Sequence, residues 1–553
     1  MGSVGWSMLR VCTVLLVLCA AASTAIAGGG AENVLVVVND LCPDSVEIAR
    51  YYMTRRDIPR HHLVHVRIPG GGKDPKEGFV AVESLSWPDY QSLLEAPVKK
   101  WLAGNKTAPI TIIVLTRGIP VVTMAKNSDN GSVPRATTHI LAGMMVEDDI
   151  VRTGPAGNQG KSSPFYKHDG AVDPATPMGD KWAMYSVGLL NAFTVDDVKK
   201  MIDLSILSDA KKPDGTVYLG ISNKGDPRGM YNPQFPALEA FCKGLNLKTE
   251  VIPHNPNNIL LEKKNDVIYY AFGQANWDEK FPAMNKYLPG AVIDNLTSVA
   301  LTWHAFDPAR KGGQTPMTHF TAAGATVVHG CVREPTTGAW DPNYLHVQRY
   351  LSGYNAGESF LMAHPWFPWM NLVAGDPLTQ VFAQRPVVTA ELTGEKGAYK
   401  IKASAKATRE GAAILSLALF LDGVPAGAIK DEIALPKEFD PAQHSWKVVA
   451  IDDSKYRTQG SVASAPLAKT TSKVAVKYDS QYKGVATFKV TYDGKEPVMA
   501  WAASDGKERA GVVKGSKFTI AFESDAVAHT VDIWVKNAKS GPEWMTIEVP
   551  KKK

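Results

Sequence analysis

Between Asn33 and about Arg385, short unbroken apolar runs alternate with stretches whose apolar positions recur every three to four residues. The run Asn33 to Asn39 is apolar at every position except its two ends, as expected of a parallel strand covered on both faces. Leu63 to Ile68, Ile110 to Thr116, Thr216 to Ile221, Val267 to Phe272, Ala291 to Ile293 and Ala325 to Val328 read as further strands. Helical periodicity marks Ser45 to Arg56, Tyr90 to Leu102, Asp196 to Leu207, Pro236 to Leu245, about His346 to Leu351 and Glu358 to Met362. Asp44, with Glu47 three residues on, has the form of a capping box for the first helix, and Thr194 is the expected cap of the third. Alternation over this length predicts an α/β domain, 28–385, built on a doubly wound, mostly parallel sheet. Ligands of such sheets bind outside the carboxyl ends of the strands. Residues 127–192, rich in Gly, Pro, Asp and Ser, break the alternation and read as a long irregular insertion.

After Arg385-Pro386 the period changes to two. Tyr399 to Lys402, Trp446 to Ile451, Val474 to Lys477, Ala486 to Tyr492, Lys517 to Phe522 and Thr530 to Val535 alternate apolar and polar, and Asp422-Gly423 and Asp493-Gly494 supply hairpin turns. This predicts a β-sandwich over 386–468. Residues 469–553 are either a second sandwich or the second half of the same one, with a join near Ala468 to Ser472.

The first 27 residues form neither pattern. Arg10, the apolar run Val11 to Ala22 and the ending Ala25-Ile26-Ala27 have the three parts of a cleaved secretory leader. The run is short for a membrane span, which takes about 20 apolar residues. The expected location is therefore secreted, periplasmic or at the cell surface. Charge is near balance, with 60 basic and 55 acidic residues, and no basic run stands out except Lys551-Lys552-Lys553, so nucleic-acid binding has no support. The tail from Pro386 holds the basic excess, which suits association with an anionic cell envelope. Of five cysteines, Cys12 and Cys19 leave with the leader, and Cys42, Cys242 and Cys331 allow one disulfide at most.

Candidate chemistry gathers at predicted strand ends. The strand Ala325 to Val328 runs into His329, Cys331, Arg333 and Glu334. A cysteine near a histidine is a candidate activated thiolate. The bland alternative is that His329 and Cys331 pack in the core while Arg333 and Glu334 fix the turn as an ion pair. The strand Val267 to Phe272 leads to Gln274 and Asn276, which can hydrogen-bond a ligand but not act as a base. His304 and Asp307 are close enough in sequence to pair. Thus His304, His329, Cys331 and Glu334 are the catalytic candidates, and Asn39, Arg117, Gln274, Asn276 and Arg333 the ligand-binding ones. His61, His62 and His65 cluster just after a helix terminus, where a positive charge suits the dipole, but no carboxylate has metal-motif spacing with them. Glu147-Asp148-Asp149 lacks the glycine-spaced loop of an EF-hand. No nucleotide-binding glycine motif and no G-x-S-x-G is present. No cofactor and no metal is expected.

The segment Asn39 to Pro59 resembles the opening of a family of uncharacterised secreted bacterial proteins found in genomes that carry exosortase, a protein-sorting system. Similar segments are Leu115-Thr116-Arg117-Gly118-Ile119-Pro120, Leu288 to Val292 with Asn295 to Ser298, Gly324-Ala325-Thr326 with Gly330, Glu334 and Pro335, and Gly375-Asp376-Pro377-Leu378. Where that family has an Arg-Leu-Asp-Gly-like turn, this chain reads Leu189-Leu190-Asn191-Ala192. More distantly, the layout resembles gingipain-type cysteine peptidases, in which a caspase-like α/β domain precedes an immunoglobulin-like one. In those enzymes one strand ends in Gly-His-Gly and the next delivers a cysteine. The matching positions here are Gly273-Gln274-Ala275 and Leu301-Thr302, so the resemblance implies the scaffold without its Cys-His dyad. The resulting expectation is an envelope or extracellular protein that binds a peptide or polysaccharide at the strand carboxyl ends. The alternative is an extracellular hydrolase using Cys331, His329, His304 or Glu334.

Overall fold

The computed structural model describes residues 29–71, 79–126, 131–146, 162–172, 184–223, 225–254, 263–309, 313–441, 444–464, 474–482, 485–492, 498–504, 507–512, 517–521, 529–537 and 543–550. The predicted leader, the parts 127–130, 147–161 and 173–183 of the insertion with Glu147-Asp148-Asp149, the join near 468–472 and the Asp493-Gly494 turn lie outside the described residues.

A ten-stranded sheet forms the body. Its strands are β1 (Val34–Asn39), β2 (Leu63–Val66), β3 (Ile112–Thr116), β4 (Ser186–Leu190), β5 (Thr216–Gly220), β6 (Lys248–Ile252), β7 (Val267–Phe272), β8 (Tyr287–Asn295), β9 (Val327–Cys331) and β10 (Asn371–Gly375). Their spatial order is β2-β1-β3-β4-β10-β9-β8-β7-β5-β6. β1, β3, β5, β7 and β9 are buried at every position, as parallel strands covered on both faces must be. Leu35, Val37, Ile113 and Ile293 feed the core on one face. Val34, Val36, Ile112 and Val114 on the other face pack in a second cluster, and Val292 and Val327 in a third.

One pairing departs from the rest. β10 runs parallel to β4 but antiparallel to β9. The strands on either side of this seam are parallel within each half. The two halves therefore point in opposite directions, and their carboxyl ends lie at opposite edges of one sheet. The expectation of a single ligand-binding edge is corrected by this: Asn39 and Arg117 follow strands of the first half, while Gln274, Asn276, His329, Cys331 and Arg333 belong to the second. The central strand β4, which falls in the stretch expected to be an irregular insertion beside the sheet, the edge strand β6 and the seam strand β10 were not among the predicted strands. Neither was the small sheet of Ser84–Ser86, Val122–Lys126 and Ser132–Ala136.

Helices cover the faces. α1 (Pro43–Arg56) buries Ser45, Ile48, Ala49, Tyr52 and Met53, a helical stripe. Its N-cap is Cys42, without a side-chain cap. Asp44 instead pairs with Arg117 (3.1 Å), and Glu47 with Lys199 (2.5 Å), so the expected capping box does not form there. α2 (Val195–Ser208) does begin at Thr194, whose hydroxyl accepts from Asp197 N in a complete capping box. α3 (Asn343–Leu351) and α4 (Ala356–Ala363) roof the second half beside the seam.

The tail is all β. Three-stranded and four-stranded antiparallel sheets, within residues 387–463, close on a shared core of Ile401, Leu419, Phe439, Val448 and Ala450. A second set of three and four strands, within 474–549, closes on Phe488, Phe518, Val531 and Ile533. The first unit is stitched to the body. Gln459 Nε2 donates to Asn33 Oδ1 (2.6 Å), and Lys447 pairs with Glu32 (2.5 Å). A cavity of about 260 Å³ at this joint is lined by Arg56, Asp209, Arg385, Lys447 and Glu32. Its charges are matched internally: Arg56 with Asp376 and Asp209, and Arg385 with Asp209.

Candidate functional site

The first half's carboxyl edge is a closed network. Asn39 is fully buried. Its Nδ2 donates to Ile68 O (2.9 Å) and Gly118 O (3.0 Å), and its Oδ1 accepts from Ile68 N (3.1 Å) and Leu41 N (3.2 Å). Gly118 has φ +87°, and a Cβ there would lie 2.7 Å from Cys42 Sγ, which is why a glycine stands at that turn. Arg117 donates to Ala192 O (2.6 Å) and Phe193 O (3.0 Å). Both residues expected to bind a ligand thus spend their hydrogen bonds on the fold. Asp376, fully buried, accepts from Tyr52 OH (2.7 Å) and Arg56 Nε (2.7 Å), tying α1 to the end of β10.

The histidines beyond α1 are also structural. Burial pushes His61 down to about 4 and holds His62 well below the usual imidazole range, so both are neutral near pH 7. The expected dipole role, which needs a cation, does not apply to them. His65 pairs with Asp40 (2.7 Å).

On the second half, the catalytic candidates are not brought together. Cys331 is fully buried, its Sγ 3.7 Å from Asn371 Oδ1. Burial, reinforced by the charges of Asp341, Glu334 and Asp294, pushes its thiol well above the normal range, the opposite of what a thiolate nucleophile requires. Glu334 is exposed and accepts from Thr336 N (3.3 Å). Arg333 does not pair with it. It pairs with Glu83 and donates to Thr302 Oγ1 (2.9 Å). His304 is half-buried beside Trp303, and Asp307 accepts from Ala309 N (2.9 Å).

His329 enters a different group. Its Nδ1 lies 2.9 Å from Asp294 Oδ1 and its Nε2 3.7 Å from Asp341 Oδ2. Asp294 also accepts from Tyr269 OH (3.1 Å) and from Asn343 Nδ2. Asp341, just before α3, lies 2.5 Å from His364 Nδ1 and accepts from Asn371 Nδ2 (2.8 Å). His364 follows the last residue of α4. Burial pushes Asp341 well above the usual carboxylate range. Burial alone would lower His329, but Asp341 and Asp294 outweigh it and raise it. Burial keeps His364 and His346 low. Among the described residues, His329, Asp341 and His364 are the group whose donor atoms can hold a metal ion. The sequence singled out His329 but neither Asp341 nor His364. They sit about 12 and 35 residues further along, and only the packing of α3 and α4 on β9 brings them close.

The remaining strand-end residues form an open rim. Gln274, just past β7, is held by its backbone against Asn295 (3.0 Å each way), leaving its Oε1 buried with no partner among the described residues. Asn276 is exposed, within 3.1 Å of Gly313 O once its amide nitrogen faces that way. Arg228 donates to Leu296 O (3.1 Å), and Gln314 accepts from Thr297 Oγ1 and Val299 N (2.8 Å each). Leu301 and Thr302, where a gingipain-type cysteine would stand, are buried.

No protein-family model matches the chain, and no curated protein matches it. Among solved structures, the chain is similar to the central fibronectin-III array of RIM-binding protein, with 14% identity, 30% of this chain and 68% of that one covered, and a TM-score of 0.12. A two-domain fibronectin type-III segment of chicken tenascin gives 8% identity, 29% and 97% coverage and a TM-score of 0.13. Chicken interferon gamma receptor alpha chain gives 10%, 30% and 100%, and 0.12. Similarities at these TM-scores carry no argument about fold. The strand pairing itself establishes a large mostly parallel sheet followed by antiparallel ones. No helix among the described residues is long and apolar enough to cross a membrane.

Proposed function

We propose that this is an exported envelope or extracellular binding protein on a caspase-like scaffold, with immunoglobulin-like modules behind it. It engages an extended polymer, peptide or glycan, along the rim at the carboxyl ends of β7, β8 and β9. The observation that carries this reading is the contrast within that edge. Past the carboxyl ends of these strands Asn276 is exposed and Gln274, Trp303 and Arg333 are half-buried, as is Arg228, whereas the Cys331 thiol is fully buried. Hydrogen-bonding amides with an arginine and an aromatic face suit a polar polymer. The leader-like N-terminus supports export, and the basic tail supports association with an anionic envelope.

The test uses residues 28–553, offered arrays of peptides and of cell-wall oligosaccharides, with mass spectrometry of the recovered ligands. Retention of one class, weakened about tenfold by Gln274→Ala or Trp303→Ala and unchanged by Cys331→Ala, is expected, since about 1.4 kcal/mol per lost anchor is tenfold. Equal retention by the rim variants overturns the reading. Cleavage of the peptides at a consistent motif, abolished by Cys331→Ala, would replace it with the hydrolase.

A further inference from the structure

We propose that His329, Asp341 and His364 bind one divalent transition-metal ion, of the zinc type, which clamps β9 to the helices that roof it. Two polar atoms carry the argument. His329 Nε2 and Asp341 Oδ2 are both buried with no hydrogen-bond partner among the described residues, a costly state for an imidazole and a carboxyl group in a protein core. They face each other at 3.7 Å, too far for a hydrogen bond. That is about the spacing of two ligands that each stand about 2.1 Å from one ion and subtend an angle of about 120°.

The surroundings are arranged for such an ion. Asp294 holds His329 Nδ1 at 2.9 Å, which fixes a proton on Nδ1, so that a metal ion takes the place of the Nε2 proton that faces Asp341. A carboxylate behind a histidine in this way fixes the ring and raises its basicity as a ligand. Tyr269 and Asn343 hold Asp294 in turn. His364 supplies the third donor, and the three donor atoms lie within 4.8 Å of one another. A pair at that limit closes by about 1 Å to share an ion at such an angle, and a ring nitrogen of His364 gives its lone pair to the metal. Asn371 Nδ2 stays on Asp341 Oδ1. Imidazole and carboxylate donors select zinc and its first-row neighbours over calcium or magnesium. Three protein ligands leave a position for water.

The site is independent of the polymer rim, and so is its test. The full mature chain is stripped with a chelator and titrated with Co(II), read by visible ligand-field absorption, and with Zn(II), read by the thermal midpoint. One equivalent of Co(II) and an upward shift with zinc are expected. Asp341→Asn and His364→Gln should each weaken binding at least about tenfold. Cys331→Ala, beside Asn371 but outside the ligand set, should bind as the parent does. A folded, stripped parent that takes up no Co(II), or variants that titrate like the parent, overturns the proposal. If Asp341→Asn fails to fold, His364→Gln, at the end of α4, decides the matter by the same absorption.

Discussion

The two carboxyl edges of the sheet make an instructive pair. Both present asparagine, arginine and glycine just past buried strands, and both read as ligand sites in the sequence. At the first edge, Asn39 and Arg117 have their bonds taken by Ile68, Gly118, Leu41, Ala192 and Phe193. At the second, Gln274 Oε1 is buried with no partner among the described residues, and Asn276 is exposed with its amide nitrogen toward Gly313 O. The arginines of the second edge are engaged as well, Arg333 with Glu83 and Arg228 with Asp226, so the edges differ in the burial of their amides: Asn39 is fully buried and Asn276 exposed.

The contrast is open to measurement. Asp376→Ala should have the largest effect. It leaves the buried Arg56 guanidinium with Asp209 as its charge partner and Ser205 Oγ as a neutral acceptor, and losing one partner of a buried pair costs about 3–5 kcal/mol, read as a lower midpoint in urea. Retained stability would break the claim that the first edge is structural.

Acid should destabilise next. The folded values of His61 and His62 lie below the unfolded one near 6.5. The unfolded chain then binds more protons, and the stability these residues supply is complete above pH 6.5 and lost as pH falls toward 4. For His61 the loss amounts to about 3 kcal/mol at 1.36 kcal/mol per pH unit. His61→Gln should flatten the pH dependence of the melting temperature across that window. An unchanged slope would place the acid sensitivity elsewhere.

Asn39→Ala strips four hydrogen bonds from a dry turn and should cost about 2 kcal/mol, again read in urea, with rim binding unchanged. The smallest effect belongs to Arg333→Ala. Its partner Glu83 is half in solvent, so the pair contributes under about 1 kcal/mol to stability, while polymer retention should fall. A large loss of stability there would erase the contrast between the two edges.

Much of the body was legible. The apolar runs placed β1, β3, β5 and β7 to within a residue or two, and Thr194 marked the start of α2. β10 escaped notice because Asn371-Leu372-Val373-Ala374-Gly375 is short and comes after an irregular, proline- and tryptophan-rich stretch. The edge strand β6, Lys248–Ile252, is half polar and carries little apolar signal. Of the buried cluster, His329 was visible because it ends a strand. Asp341 and His364 were not, since a lone aspartate before one helix and a lone histidine after another are indistinguishable from surface residues until the helices pack.

What the sequence determined by itself is the kind of each element and the change of regime at Arg385-Pro386, because period and chain chemistry are local properties. Only the tertiary structure decided the direction of the second half. That direction rests on the antiparallel pairing of β9 with β10, five residue pairs joined across a separation of some forty residues. Backbone hydrogen bonds form this ladder, and they are the same for every residue type. Which edge of the sheet a polar strand end reaches depended on that pairing, and no local pattern encodes it.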